Sequence, residues 1–263
     1  REEATQMELE QCNGSSCSLE ETPIQVTYKP LELFYFMDIS SPENFHVMTL
    51  IKKLEIEYGH VIRFRMVSTV PSCVGGCQEE VRLLTMIKAL ELQGKRHAMR
   101  FLRHLHVNDL FSGEQLGSID LWEIARSFEE YGLDLSELEA DLQSNQLLNA
   151  LAVDHQVLKD WEIESLPALT FVTRDEALKI EGVYPYDVYQ SVMTELLGYA
   201  PSRTTDWDVA KVLARYDAST ITELSYILDL EKTVIERELK KLSLQQRCRP
   251  VPGCSGEAWA QTK

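Results

Sequence analysis

The 263-residue sequence has no run approaching the ~20 apolar residues that a helix needs to cross a bilayer, because charge interrupts every apolar stretch well before that length. A helical membrane span is excluded, and a soluble chain is implied. Basic charge is scarce: 26 Lys and Arg stand against 42 Asp and Glu, a net charge of −16. Duplex DNA is therefore not an expected ligand, since affinity for it rests on cations that neutralise phosphates. The Cys-x-x-Cys spacing is absent, and the histidines (His46, His60, His97, His104, His106, His155) show no metal-ligand spacing backed by acids on one face. What is present suffices for a packed core, with 44% hydrophobic residues in a length that accommodates one large domain and a small one.

The six cysteines fall in three close pairs, Cys12 and Cys17, Cys73 and Cys77, Cys248 and Cys254. Free thiols, local disulfides, or a four-thiolate zinc site built from Cys12, Cys17, Cys73 and Cys77 are each compatible with these spacings. No apolar signal-like region is visible in the N-terminal residues. The glycosylation triplet Asn13-Gly14-Ser15 matters only in an exported chain.

Charge is unevenly spread. Residues 1–200 carry 16 basic and 33 acidic side chains, whereas 201–263 carry 10 and 9, a contrast that suggests two domains. Arg82, Lys88, Lys95, Arg96, Arg100 and Arg103 make a basic segment with Glu91 as its lone acid. The stretch from Asp109 to Glu164 then holds 14 acids against Arg126 and Lys159. The plain reading is two solvated helix faces. The sharper one is an acidic docking surface for a basic partner, with Glu129, Glu130, Glu137 and Glu139 as its candidate contacts.

Residues 1–23 are polar and read as a mobile arm. Leu31 to Met37 is a short apolar run of strand type ending at Asp38. Ser41-Pro42-Glu43 offers an N-cap, a first-turn proline and an early acid, and Val47, Leu50, Ile51 and Leu54 follow at helical spacing. After Gly59, Val61 to Val67 alternates as a second strand, so a helix joins two strands that should pair in parallel. A helical insertion at about 79–163 follows, with breaks near Gly94, Asn108 to Ser118, Gly132 and Ser144, and with Trp122 and Trp161 as expected core anchors. Leu166 to Thr173 is a third strand, opened by Pro167, which cannot donate to a ladder and is a plausible cis site. Leu178 to Gly182 and a helix from Tyr186 to Leu197 complete the order βαβ, helices, ββα. Beyond a linker at 198–205, three short amphipathic helices (Trp207 to Tyr216, Thr220 to Leu228, Lys232 to Leu242) and a strand-turn-strand over Gln245 to Trp259 make a winged-helix-like shape at 206–263. Its reading helix mixes Glu231, Glu236 and Glu238 with Lys232, Arg237, Lys240 and Lys241, which suits a structural or protein-binding role better than DNA.

That order resembles a thioredoxin-like fold of the DsbA type, an α/β architecture, spanning residues 24–197. In such oxidoreductases the first turn of the helix carries Cys-x-x-Cys, whose leading thiolate the helix N-terminus stabilises. Here the tetrad is Ser41-Pro42-Glu43-Asn44, without either sulfur, so disulfide exchange at this site is not expected. Lys29-Pro30-Leu31-Glu32, the helix Leu50 to Gly59, Ala89 to Lys95 with Met99 to Arg103, and Tyr184-Pro185-Tyr186-Asp187-Val188-Tyr189 are similar to the Spx adaptor family. The resemblance runs from about Lys29 to the C-terminus. It implies a cytoplasmic, non-enzymatic adaptor that presents the transcription regulator Spx to the ClpXP protease in the stress response of Gram-positive bacteria, with an appended C-terminal domain and no obligatory cofactor. Many members keep Cys-Pro-x-Cys, and Ser41 and Asn44 depart from them. In thioredoxin folds the backbone beside the cis-proline pairs with extended partner segments, which makes Ser41, Leu166 and Pro167 further contact candidates. Phe34-Tyr35-Phe36, Asp38 and Ser40-Ser41-Pro42 also look like kappa-class glutathione transferases and related isomerases, in which a serine at this place helps activate glutathione. Ser41 would then be the reactive position of an enzyme.

Overall fold

The computed structural model describes residues 29–38, 44–69, 78–105, 118–251 and 258–262. The N-terminal arm, positions 41–43 of the tetrad, Cys12, Cys17, Cys73, Cys77, Cys254 and His106 lie outside them.

Strand β1 (Leu31–Asp38) alternates across the sheet. Leu31, Leu33, Tyr35 and Met37 enter the main core, whereas Phe34 and Phe36 face the other side. Helix α1 (Asn44–Tyr58) follows and ends at Gly59, where a Cβ would stand 2.3 Å from the Glu55 carbonyl oxygen. Only glycine allows so tight an exit into β2 (Ile62–Thr69). β1 and β2 pair in parallel, Leu31 opposite Ile62, as the intervening helix implied. Strand β3 (Ala168–Val172) lies antiparallel on the other edge of β1, and β4 (Ala177–Glu181) lies antiparallel to β3, giving the order β2-β1-β3-β4.

The described part of the insertion between β2 and β3 is a run of helices joined by turns, without a strand: α2 (Gln78–Gln93), α3 (Lys95–His104), α4 (Leu121–Arg126), α5 (Leu135–Asp141) and α6 (Asn145–Asp160). Its starts are set by local chemistry. Asp120, Asp134 and Ser144 each accept a backbone N–H of the first turn of α4, α5 and α6, and Gly94 takes a φ of 149° between α2 and α3. Val157, Leu158 and Trp161, on and just past α6, pack against Phe34, Phe36 and Val67 on one face of the sheet. On the other face α1 and α7 (Tyr186–Leu197) enclose the main core, with Tyr189 and Phe171 stacked obliquely at 6.4 Å.

After α7 come α8 (Val209–Tyr216), β5 (Ala218–Thr220), α9 (Ile221–Leu228), α10 (Lys232–Leu244), β6 (Cys248–Pro250) and β7 (Ala258–Gln261). The strands form a separate antiparallel sheet in the order β5-β7-β6. The sequence pattern misses β5, since three residues are too few to show an alternation. A second core, built from Val212, Leu213, Leu224, Ile235 and Leu239, also buries Ile56 of α1. Helix α1 is therefore covered on two faces, and the charges on its second face make the seam between the two cores.

Candidate functional site

In a DsbA-type fold the chemistry sits where the first helix begins, beside the proline that opens the third strand. Asn44 starts α1 here, and the Leu166–Pro167 peptide is cis. The ladder sets Ala168 against Phe36, so Pro167 lies beside the C-terminal end of β1, from which the chain proceeds to α1. The Pro167 carbonyl accepts the Gly182 N–H at 2.7 Å and thereby extends the β3-β4 ladder at its open end. Leu166 is half-buried against the Phe36 cluster. Ser41, Pro42 and Glu43 lie outside the described residues, as do the five cysteines and the histidine already named.

A denser constellation sits on the second face of α1. Thr49, Lys52, Lys53 and Ile56 recur at helical spacing and are all buried. Lys52 donates to Glu223 Oε1 at 3.0 Å. Arg103 of α3 holds the same carboxylate with both guanidinium nitrogens, each at 2.6 Å. The Thr220 N–H donates to Glu223 Oε2 at 2.8 Å, and the Glu223 N–H donates back to the Thr220 hydroxyl at 3.1 Å, a capping box that starts α9. One carboxylate, 1% exposed, thus serves two cations and a helix end. On the next residue, Lys53 pairs with Asp229, donates to the Tyr226 carbonyl at 2.8 Å, and lies over the rings of Tyr186 and Tyr226. Glu57 accepts from the Tyr186 hydroxyl at 2.7 Å and pairs with Arg203, while Arg215 and Tyr216 hold Glu55. Arg100 meets Asp217 at 2.5 Å.

Burial opposes the charge on Glu223, yet Arg103 and Lys52 outweigh it and hold the carboxyl far below the usual range. Lys52 has the weaker claim on that carboxylate. Burial, and then repulsion from Arg103, push its ammonium from the ordinary 10.5 down to about 8, against the pull of Glu223. Arg103 grips with two parallel bonds and Lys52 with one, and two cations on one carboxylate leave a surplus positive charge. Elsewhere, burial works against the charge of Lys88, but Asp154 and Glu91 on either side raise its ammonium above the ordinary value. Burial also raises the Cys248 thiol, which is free and donates to the Leu239 carbonyl.

The expectation of two solvated charged faces needs correction for half of the basic segment. Lys88 is buried, and Arg100 and Arg103 meet acids of the C-terminal helices and strands more than 100 residues away. Arg82, Lys95 and Arg96 are exposed as expected. So are Glu129, Glu130, Glu137 and Glu139, among which Glu130 interacts with Tyr131. Trp161 stands 6.0 Å from Phe34, and Trp122 packs against the main core. Among the described residues no group of three or more His, Cys, Asp or Glu could hold a metal ion. The four cysteines proposed for zinc lie outside them. No described helix is long and apolar enough to cross a membrane. The seam residues Lys52, Lys53, Glu57 and Glu223 were invisible to pattern reasoning, although Ile56 set among charges on α1 marked a second buried face.

Two comparisons place this architecture. The thioredoxin family matches residues 77–191, and the crystal structure of Pseudomonas aeruginosa DsbA2 superposes with a TM-score of 0.50 at 14% identity, covering 65% of this chain and 90% of DsbA2. The fold is therefore thioredoxin-like, of the DsbA type. More specifically, it is 30% identical over 239 residues to the ClpXP adapter protein SpxH of Staphylococcus haemolyticus, covering 87% of this chain and 89% of that protein. The SpxH of Staphylococcus epidermidis is 30% identical over 252 residues, covering 92% and 93%. The chain belongs to the SpxH family. These relatives lend nothing to the glutathione-isomerase reading of Ser41.

Proposed function

We propose that the protein is a non-enzymatic, cytoplasmic adaptor that binds the regulator Spx and hastens its degradation by ClpXP. The observation that carries this reading is 30% identity, along 92% of the chain, to a protein named for the adapter role. The tetrad Ser41-Pro42-Glu43-Asn44 agrees with it, since a binding function needs no dithiol. Residues 24–197 are read as the thioredoxin-like domain, 198–205 as a linker and 206–263 as a winged-helix-like domain that the charged seam fastens to α1.

Adding the protein to ClpXP and a cognate Spx is expected to shorten the Spx half-life several-fold, as followed on gels. An unchanged half-life overturns the adaptor reading. Ser41, Leu166 and Pro167 are proposed as one contact region, and Glu129, Glu130, Glu137 and Glu139 as a second that favours a basic partner. Reversing the four charges to Lys is expected to weaken partner binding about tenfold and to flatten its salt dependence. An unaltered affinity in calorimetry would return those acids to ordinary solvated surface.

A further inference from the structure

Between α1, the start of β2, α3 and the corner joining α8 to β5 lies a cleft of about 320 Å³, lined on its apolar side by Tyr35, Met48, Phe64 and Met99. Past the Arg100–Asp217 ion pair it continues as a second hollow of about 200 Å³, with Phe128 and Tyr131 in its wall. In a chain of net charge −16, the walls of these two hollows carry nine Lys and Arg against two acids, Glu55 and Asp217.

Some of that positive charge is already used. Lys52, Arg100, Arg103 and Arg215 hold the seam together, and Lys29 is tied to the carbonyls of Gly59 and Ile62. Arg63, Lys95, Arg96 and Arg249 are different, being exposed and without an ion-pair partner among the described residues. Lys95 and Arg96 also occupy the first turn of α3, which holds no acid. Cations gain nothing from the N-terminus of α3 itself, where their charge adds to the positive end of the helix.

We propose that this groove docks an acidic peptide segment of a partner protein, one whose carboxylates are interleaved with apolar or aromatic side chains. The free cations are spread along the groove, from β2 through α3 to β6, rather than converging on one point as a single phosphate would require. Carboxylates spaced along a peptide match that spread. The thioether and aromatic floor offers adaptable apolar contact to the side chains between them. The proposal rests on the adaptor reading only in taking the ligand to be a protein.

Fluorescence anisotropy on the full chain tests it, with a labelled short peptide in which Glu alternates with Leu and Phe. Binding is expected to weaken at least about tenfold in the triple variant Arg63→Glu, Lys95→Glu, Arg96→Glu. The triple variant Arg126→Glu, Lys159→Glu, Arg174→Glu alters net charge equally at exposed positions that do not line the groove, and should shift affinity less than about twofold. Should the first triple fail to fold, the neutral pair Lys95→Gln, Arg96→Gln carries the comparison with a smaller expected loss. Absence of binding, equal weakening by both triples, equal binding of a peptide with Lys in place of Glu, or displacement by inorganic phosphate at the same concentration as free peptide would each overturn the proposal. No protease or regulator is present, so failure here leaves the degradation experiment to judge the adaptor reading separately.

Discussion

Replacing Glu223 by alanine is expected to cost about 3–5 kcal/mol of stability, because it strands Lys52 and Arg103 as uncompensated charges in a buried seam. The loss is larger than an exposed ion pair could produce, which is typically about 0–1 kcal/mol. Part of it comes from the capping box at Thr220, since alanine offers no acceptor for the Thr220 N–H. Glu223→Gln separates the two contributions: the amide oxygen can still accept at the cap, but the negative charge is gone, and most of the loss should remain. Urea denaturation followed by tryptophan fluorescence reads the effect, Trp207 and Trp259 both packing against the second core. Limited proteolysis should cut the variant more readily between α7 and α8, as the C-terminal helices lose their hold on α1. A variant with an unshifted midpoint would mean that the three-way contact contributes nothing. Acid dependence supplies the sign. The folded carboxyl lies below its unfolded value, so its contribution is complete above about pH 4.3 and fades as pH falls toward the folded value. Glu223→Gln should therefore lose less stability on acidification than the parent chain does.

How much of this was legible beforehand follows from the length scale of each interaction. The β1-α1-β2 unit showed itself through its own periods, because Leu31 to Met37 and Val47 to Leu54 bury their apolar side chains locally in strand and helix rhythm. The breaks at Gly94, Gly132 and Ser144 were equally local, being caps and left-handed or otherwise unusual turns. The seam was hidden for the opposite reason. A lysine on a helix reads as solvent-facing because a lone buried charge is so costly, and what removes the cost here lies 171 residues away for Lys52 and Glu223. Lys88 misled in the same way, as Asp154 belongs to a different helix. The tetrad presents the reverse case: its loss of both sulfurs is plain in the sequence, while positions 41–43 lie outside the described residues.

The asymmetry within the seam leads to a second large effect. Lys52→Met is expected to be neutral or stabilising at pH 7, although it deletes a buried ion pair. Glu223 keeps both bonds to Arg103 and the bond from Thr220, so no acceptor is stranded, and the surplus cation of the cluster disappears. Methionine fills nearly the same unbranched volume between Arg103, Glu223, Glu55 and the Tyr216 ring, which lies 5.2 Å from the ammonium. The pH profile gives the sharper reading. In the unfolded chain the lysine keeps its proton up to about 10.5, whereas in the folded chain it releases it near 8. Between those values the unfolded state binds more protons, so the parent chain gains stability as pH rises, by up to about 3 kcal/mol over the window. Lys52→Met lacks that gain. Its advantage over the parent should be greatest below pH 8 and shrink as pH approaches 10.5. Parallel stability profiles for the two, measured by urea denaturation at intervals from pH 7 to 10.5, would show that Lys52 holds its proton as firmly folded as unfolded.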